Sequence, residues 1–353
     1  MHKTQGYAAE STTSGLAPFD FERREPRPDD VSIEIDYCGV CHTDIHFVNN
    51  DWGRTIYPVV PGHEIIGHVV AVGDQVKQFR VGDTVGVGCM VDSCRECEAC
   101  QQGLEQYCLS GMVPTYNGED MHDHGRTYGG YSDSIVVSER FVVHVPDKLD
   151  PAAAAPLLCA GITTYSPLRH FGVKPGDKLG VVGMGGLGHM GIKFAKAMGA
   201  EVTLFTRSPG KIAEAKKQGA DHVVISTDAG QMEAVAGSLD FMLDTVPVQH
   251  DLNPYLNTLK YDGTYILVGL VQPIEPAVHA GNLLGKRRVL AGSMIGGMPE
   301  TQEVLDFCAE HGIACDVEML DIRNINEAYE RVKKGDVKYR FVIDMATLKQ
   351  AAA

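Results

Sequence analysis

Up to about residue 150, apolar positions come in short runs broken by Gly, Pro and Asp. DVSIEIDYCG (Asp30 to Gly39), IIGHVVAVG (Ile65 to Gly73) and GDTVGVGC (Gly82 to Cys89) are of this kind. They read as β-strands, and the glycine punctuation predicts a barrel-like β domain with functional loops. From Asp150 the pattern changes. PAAAAPLLCAGITTYSPLRHFG is rich in Ala and Leu and predicts a helix around Cys159. A wholly apolar strand, KLGVVG (Lys178 to Gly183), leads through a glycine turn into the helical HMGIKFAKAMG. The strand EVTLFT (Glu201 to Thr206) and the helix KIAEAKKQG (Lys211 to Gly219) follow. HVVIS, FMLDTV and TYILVG then alternate with helical or loop segments. Strands about 20 to 25 residues apart with helices between them predict a parallel doubly wound sheet, hence an α/β chain. The tail is mixed, with a helix near TQEVLDFCAEHG and a last strand, YRFVID (Tyr339 to Asp344).

A length of 353 residues favours two domains. With 44% hydrophobic and 22% charged residues the chain has the composition of an ordinary soluble globular protein. A formal charge of -15 argues against a nucleic-acid partner, because phosphate neutralisation needs clustered Lys and Arg. The polar start MHKTQGYAAESTTSG has no apolar signal region, and no run approaches the roughly 18 apolar residues of a spanning helix. A cytoplasmic protein without a membrane partner is therefore expected. In that compartment the ten cysteines read as metal ligands and buried thiols rather than disulfides.

Two stretches carry metal chemistry. CRECEACQQGLEQYC separates Cys94, Cys97 and Cys100 by two intervening residues each and Cys100 from Cys108 by seven. Four thiolates at this spacing close a tetrahedral cage with no open position, so this zinc braces a loop. An iron–sulfur centre is the lesser alternative for one compact lobe. The second stretch is CGVCHTDIHFVNNDWGRTIYPVVPGHE, from Cys38 to Glu64. Cys41 and His63 are its candidate ligands, with Glu64 next to the metal. Cys159 is the best third candidate, although a cysteine in an apolar run is ordinarily a core thiol. A Cys2His set leaves one position for substrate, the pattern of a Lewis-acid zinc. Asp44 is positioned in sequence to fix the His63 tautomer, and Thr43 with His46 to relay a proton. Cys38 with Cys41 is a CxxC, but no thioredoxin-like unit surrounds it. Cys38, Cys89, Cys308 and Cys315 read as packing residues.

The loop Gly183-x-Gly185-Gly186-Leu187-Gly188 follows an apolar strand and opens a helix, the context in which glycines admit a dinucleotide pyrophosphate. An NAD site would put an acidic residue at the end of the next strand. Here stand Thr206, Arg207 and Ser208, with Lys211 shortly after. Two cations and two hydroxyls suit a 2′-phosphate, so NADP is expected.

These motifs, in this order and spacing, resemble the zinc-dependent medium-chain alcohol dehydrogenases. CGVCHTDIH, YPVVPGHE, VGVGCMVDSC, APLLCAGITTYSPLRH, AGSMIGG and INEAYERV…DVKYRFVID resemble its cinnamyl alcohol dehydrogenase branch, particularly the bacterial NADP-dependent aldehyde reductases, over essentially the whole chain. The resemblance implies a GroES-like β-barrel catalytic domain from residues 1–158 and 297–353. It implies a Rossmann NADP-binding domain at 159–296, with the active site in the cleft. It implies two Zn2+ per chain, one on Cys41, His63 and Cys159 with Glu64 adjacent, the other on the four lobe cysteines. It also implies that His42 and Arg340 face the pyrophosphate and Thr163 the nicotinamide. Thr245, Val246, Val268, Gly269, Ser293 and Ile295 would line the rest of the groove. Trp52, Met90, Tyr131 and Ile295 would shape the substrate pocket. A homodimer through the cofactor domains is common among such proteins.

The expected reaction is reversible hydride transfer between NADPH and an aromatic or medium-chain aliphatic aldehyde, with primary alcohols as substrates in reverse. The rivals are a secondary-alcohol or polyol dehydrogenase of the same fold, a zinc-free quinone reductase, and a zinc-ribbon interaction module. The first would end its cofactor strand in Asp or Glu, which this chain lacks, the second would have no use for Cys41, His63 and the lobe, and the acidic charge and the glycine loop argue against the third.

Overall fold

The computed structural model describes residues 2–269 and 272–351. The chain divides into two compact units, Met1–Ile162 with Gly296–Ala353, and Thr163–Ile295. The division thus falls at 162/163 and 295/296 rather than at 158/159 and 296/297, so Cys159 belongs to the first unit. The continuous helix expected around Cys159 is interrupted, as a helix over Pro151–Ala154, a 3-10 turn over Ala155–Leu158, and a second helix over Ala160–His170. Pro156 has no N–H for a ladder. Cys159 leaves the helical region at φ -131°, ψ -69°, and its thiol turns toward Cys41 and His63.

The first unit is built on the strand Asp30–Gly39, where alternation of buried and half-buried residues matches the sequence pattern. One edge pairs antiparallel with Ile65–Val72 along its length. The other edge is shared: Asp30–Glu34 pair with Ser134–Ser138, and Tyr37–Gly39 with Arg340–Asp344. Thr84–Val87, Val143–His144 and Val317–Asp321 complete a seven-stranded sheet. The C-terminal strand thereby holds Arg340 beside the chain that leads into Cys41. Beyond Cys41 runs the helix His42–Asn49, capped by the Cys41 and Asp44 backbone and side-chain groups and ended by Asn50 in the left-handed conformation.

In the second unit six parallel strands lie in the order His222–Ile225, Glu201–Thr206, Lys178–Val182, Leu239–Asp244, Leu259–Leu267, Val289–Gly292. This is the doubly wound order 3-2-1-4-5-6, whose switch point lies beyond Val182 and Asp244. One face buries Val182, Phe205, Leu239, Met242, Leu256 and Tyr265 in a common core. Among the described residues no helix is long and apolar enough to cross a membrane.

Candidate functional site

Cys41, His63, Glu64 and Cys159 converge in the first unit, one potential ligand atom from each lying within 4.8 Å of the others, and all four are buried. The Cys41 and Cys159 sulfurs are 3.8 Å apart, and His63 Nε2 is 3.3 Å from Cys159 Sγ. Two sulfurs held about 2.3 Å from one tetrahedral zinc stand about 3.8 Å apart. The donor set and its spacing therefore fit zinc. A hydrogen bond with Cys159 brings the Cys41 thiol well below its usual range despite burial, and Arg340 adds to the effect. Cys89, read as a packing residue, is half-buried with its thiol 3.7 Å from the Leu158 carbonyl, and after Cys41 it is the next group raising Cys159.

Behind the ligands Asp44 is fully buried and accepts four hydrogen bonds. His63 Nδ1 donates to Oδ1 at 3.0 Å and the Gly62 N–H at 3.1 Å. The Cys41 N–H donates to Oδ2 at 2.9 Å and the Tyr131 hydroxyl at 3.4 Å. With Nδ1 bonded to Asp44, Nε2 of His63 faces the thiols and is the nitrogen left for a metal. Burial opposes a charge on His63, yet Asp44 holds its pKa well above the ordinary value.

Glu64 is also fully buried, and burial pushes its carboxyl up to about 7 against the pull of Arg340. Arg340 Nη2 stands 3.1 Å from Glu64 Oε1, without hydrogen-bond alignment, and Nη1 donates to the Val40 carbonyl. Arg340, expected at the pyrophosphate, is 5% exposed and engaged with Glu64. A buried carboxylate requires such a counter-charge.

Thr43 and His46 lie three residues apart on the helix His42–Asn49 and are half-buried. His46 is bonded through Nδ1 to Asp51 at 2.7 Å, and its ring lies 5.0 Å from that of Trp52. His42, half-buried on the same helix, has its pKa lowered by burial. The pocket assignment needs correction at Tyr131, which is 0% exposed with its hydroxyl on Asp44. It supports the ligand sphere rather than facing a substrate, because a phenol this deep needs a polar partner. Met90 is buried in the short ladder with Pro114, whereas Trp52 is half-buried and packs against His46 and Phe47.

The four lobe cysteines form the other potential metal cluster among the described residues. The Cys94 and Cys100 sulfurs are 3.9 Å apart, and those of Cys97 and Cys100 3.5 Å. The backbone N–H groups of Cys94, Cys97 and Leu109 point at the sulfurs of Cys108, Cys94 and Cys97. Donors from the Glu96 and Cys97 backbone lower Cys94 to about 6. A cage of four sulfurs lined with N–H donors fits a structural zinc.

In the second unit the glycine loop has the geometry of a dinucleotide cradle. Gly183 turns at φ 86°, a conformation that favours glycine. Gly185 has open space where a Cβ would project, and it precedes the helix Gly186–Ala197, whose N-terminus has no side-chain cap. A Cβ on Gly188 would stand 2.1 Å from the Gly183 carbonyl oxygen. These are the three glycine roles of a pyrophosphate turn. Leu187 is half-buried beside them. Lys211 Nζ donates to the Met184 carbonyl at 3.0 Å, tying the loop to the end of the second strand. There Thr206 Oγ1 accepts from the Ser208 N–H, and Arg207 and Ser208 are exposed. Thr245 donates to the Val182 carbonyl at 2.7 Å, and with Val246 it borders Gly183. Gly269 packs on the Thr245 backbone, Val268 is half-buried next to it, and the Ser293 N–H donates to the Leu267 carbonyl. Thr163 is buried on the helix Ala160–His170. Ile295 is held at φ 40°, a strained value for a β-branched residue.

Sequence reasoning missed Tyr329, whose hydroxyl meets that of Tyr131, and the group Asp244, His250 and Tyr265 at the end of the fourth strand of the second unit. Only the isolated DTV after a buried run marked Asp244 as unusual.

Residues 27–147 match the family model for an alcohol dehydrogenase GroES-like domain, and residues 186–310 that for a zinc-binding dehydrogenase. The chain is 57% identical over 347 residues to the aldehyde reductase YahK of Escherichia coli, covering 98% of this chain and 99% of that protein. A cinnamyl alcohol dehydrogenase from Sorghum bicolor superposes with a TM-score of 0.94 at 47% identity, covering 98% of each chain. A cinnamyl alcohol dehydrogenase from Helicobacter pylori, solved with NADP(H), gives 0.91 at 42% identity, covering 98% of this chain and 99% of that one.

Proposed function

The chain belongs to the zinc-dependent medium-chain alcohol dehydrogenases, and from that premise we propose that it is an NADPH-dependent aldehyde reductase with two zinc sites. Its substrates in this reading are aromatic and medium-chain aliphatic aldehydes, with the corresponding primary alcohols in reverse. The observation that carries it is the buried Cys41–His63–Cys159 set, with its 3.8 Å sulfur pair and its histidine oriented by Asp44.

When bound, zinc supplies Lewis acidity toward a carbonyl oxygen and NADPH supplies the hydride. Cys41, His63 and Cys159 would hold the metal, with Glu64 able to approach it. Asp44 keeps the His63 ring and the Cys41 backbone in place through its four bonds. As hydride arrives at carbon, the Thr43 hydroxyl gives a proton to the product oxygen. His46, half-buried and bonded to Asp51, restores that proton from solvent. Oxidation of an alcohol runs the same path in reverse. Trp52, half-buried against His46 and Phe47, would bound the acyl or aryl part of the substrate. Gly183, Gly185, Gly186 and Gly188 would cradle the cofactor's pyrophosphate, and Thr206, Arg207, Ser208 and Lys211 would hold its 2′-phosphate.

A cytoplasmic homodimer is part of the same reading. Val289 on the edge strand, Leu284 shortly before it and Tyr261 on the neighbouring strand are exposed apolar residues of the cofactor unit, which supports self-association there. Metal analysis tests the core of the proposal: about two zinc ions per chain are expected. Cys159→Ser should lose turnover and one zinc while keeping the lobe zinc. Normal turnover in that variant would remove Cys159 from the ligand set.

A further inference from the structure

Asp244 ends the strand Leu239–Asp244 and is fully buried. Its backbone carbonyl receives the N–H groups of Val268 and Gly269 at 3.1 and 3.2 Å. Its carboxylate Oδ1 accepts the Val246 N–H at 3.0 Å. One residue thus ties together the two loops that carry Thr245, Val246, Val268 and Gly269. The other oxygen, Oδ2, accepts from the Tyr265 hydroxyl at 2.7 Å and from His250 Nε2 at 2.9 Å. His250 Nδ1 is in turn 2.9 Å from the Val248 carbonyl.

A carbonyl and a carboxylate have no hydrogen to give, so both His250 nitrogens carry one and the ring is an imidazolium. The bond to Asp244 raises its pKa, against burial, and Arg207 is the opposing cation. The groups facing His250 are Asp244, the edge of Tyr255 at 5.9 Å between ring centres, and the Arg207 charge. A buried carboxylate at the switch point of a doubly wound sheet is costly unless fully paired. Here every partner is either a cation, a phenol or a loop N–H.

We propose that Asp244, His250 and Tyr265 are positioning residues for the nicotinamide cofactor, locking the Thr245–Val246 turn and the Val268–Gly269 end in the arrangement that admits it. The inference rests on the dinucleotide reading of this unit. The cluster acts through the loops and not on the 2′-phosphate. Its loss therefore weakens NADPH and NADH by the same factor, unlike loss of Arg207.

The test is titration calorimetry of NADPH and NADH, with steady-state kinetics, on wild type, His250→Ala, His250→Gln and Tyr265→Phe. His250→Ala should raise Kd and KM for both cofactors about tenfold, a typical effect of losing support at an adjacent site. The kcat at saturating cofactor and the KM for aldehyde should stay within about twofold of wild type. His250→Gln, which can still donate to Asp244, should recover part of the affinity. Tyr265→Phe should show a smaller loss of the same kind and serves if His250→Ala does not fold. Unchanged Kd in the folded variants, or a fall in kcat with KM unchanged, overturns the proposal. A wild-type protein that binds neither cofactor would overturn the dinucleotide reading itself. A wild type that binds, with variants that bind as tightly, overturns only the role of the cluster.

Discussion

Replacing Asp44 by Asn perturbs the metal site without touching a ligand. Asp44 accepts from Cys41 N, Gly62 N, His63 Nδ1 and the Tyr131 hydroxyl at 2.9, 3.1, 3.0 and 3.4 Å. An asparagine offers one oxygen, so at most two of these bonds survive, and its amide end meets two donors. Each buried donor left without an acceptor costs about 1–3 kcal/mol, so with two orphaned the metal-free fold should lose about 2–6 kcal/mol. His63 also loses the charge that orients it. Such outer partners typically change metal affinity by about 10–100-fold, or about 1.4–2.7 kcal/mol. The assay is zinc transfer to a chromogenic chelator, followed over time, with urea unfolding in excess chelator for the metal-free fold. Release should be biphasic in wild type, one phase per site, and only one phase should quicken in the variant. Two unchanged phases would refute the role given to Asp44. Equal acceleration of both would show general loosening instead.

Other expectations follow from the same geometry. Arg207→Ala should raise KM for NADPH by about tenfold or more and leave that for NADH nearly unchanged, since only NADPH brings a 2′-phosphate; an equal effect on both contradicts the assignment. Cys100→Ser in the lobe should lower the unfolding midpoint while kcat per folded, metal-loaded molecule stays near wild type; a selective loss of kcat would give the lobe a chemical role. The raised pKa of His250 makes its contribution to stability complete below about 6.5, the ordinary imidazole value, and lost as pH rises through the folded value. The stability gap between wild type and His250→Ala, from urea unfolding at several pH values, should therefore narrow on the alkaline side; a gap that widens there contradicts the imidazolium.

Much of the fold was legible because its strands carry their own signal. Asp30–Gly39 and Glu201–Thr206 begin and end where their apolar runs do. The Ala-rich stretch around Cys159 misled, since composition favours helix while Pro156 and the demands on the thiol break it. Cysteine spacing marked the lobe set, and Cys41 with His63 the other potential metal group, whereas Cys159 joined that group through the family resemblance, since alone it reads as a core thiol. Tyr131 was misjudged for the opposite reason: an aromatic near a site in sequence is as readily a prop as a wall, and only its bond to Asp44 distinguishes the two. Asp244, His250 and Tyr265 could not be grouped from the chain at all, since the strand order that brings Tyr265 beside Asp244 is a property of the sheet.

The most direct test is the initial rate of NADPH oxidation by benzaldehyde and by hexanal with zinc-replete protein. Nicotinamide absorbance follows the reaction, with NADH and the Cys159→Ser protein as controls. Turnover on the order of 1–100 per second with NADPH, lower efficiency with NADH, and only background in Cys159→Ser is the predicted result. NADPH oxidation no faster than in Cys159→Ser with either aldehyde, or NADH serving at least as well as NADPH, would contradict it.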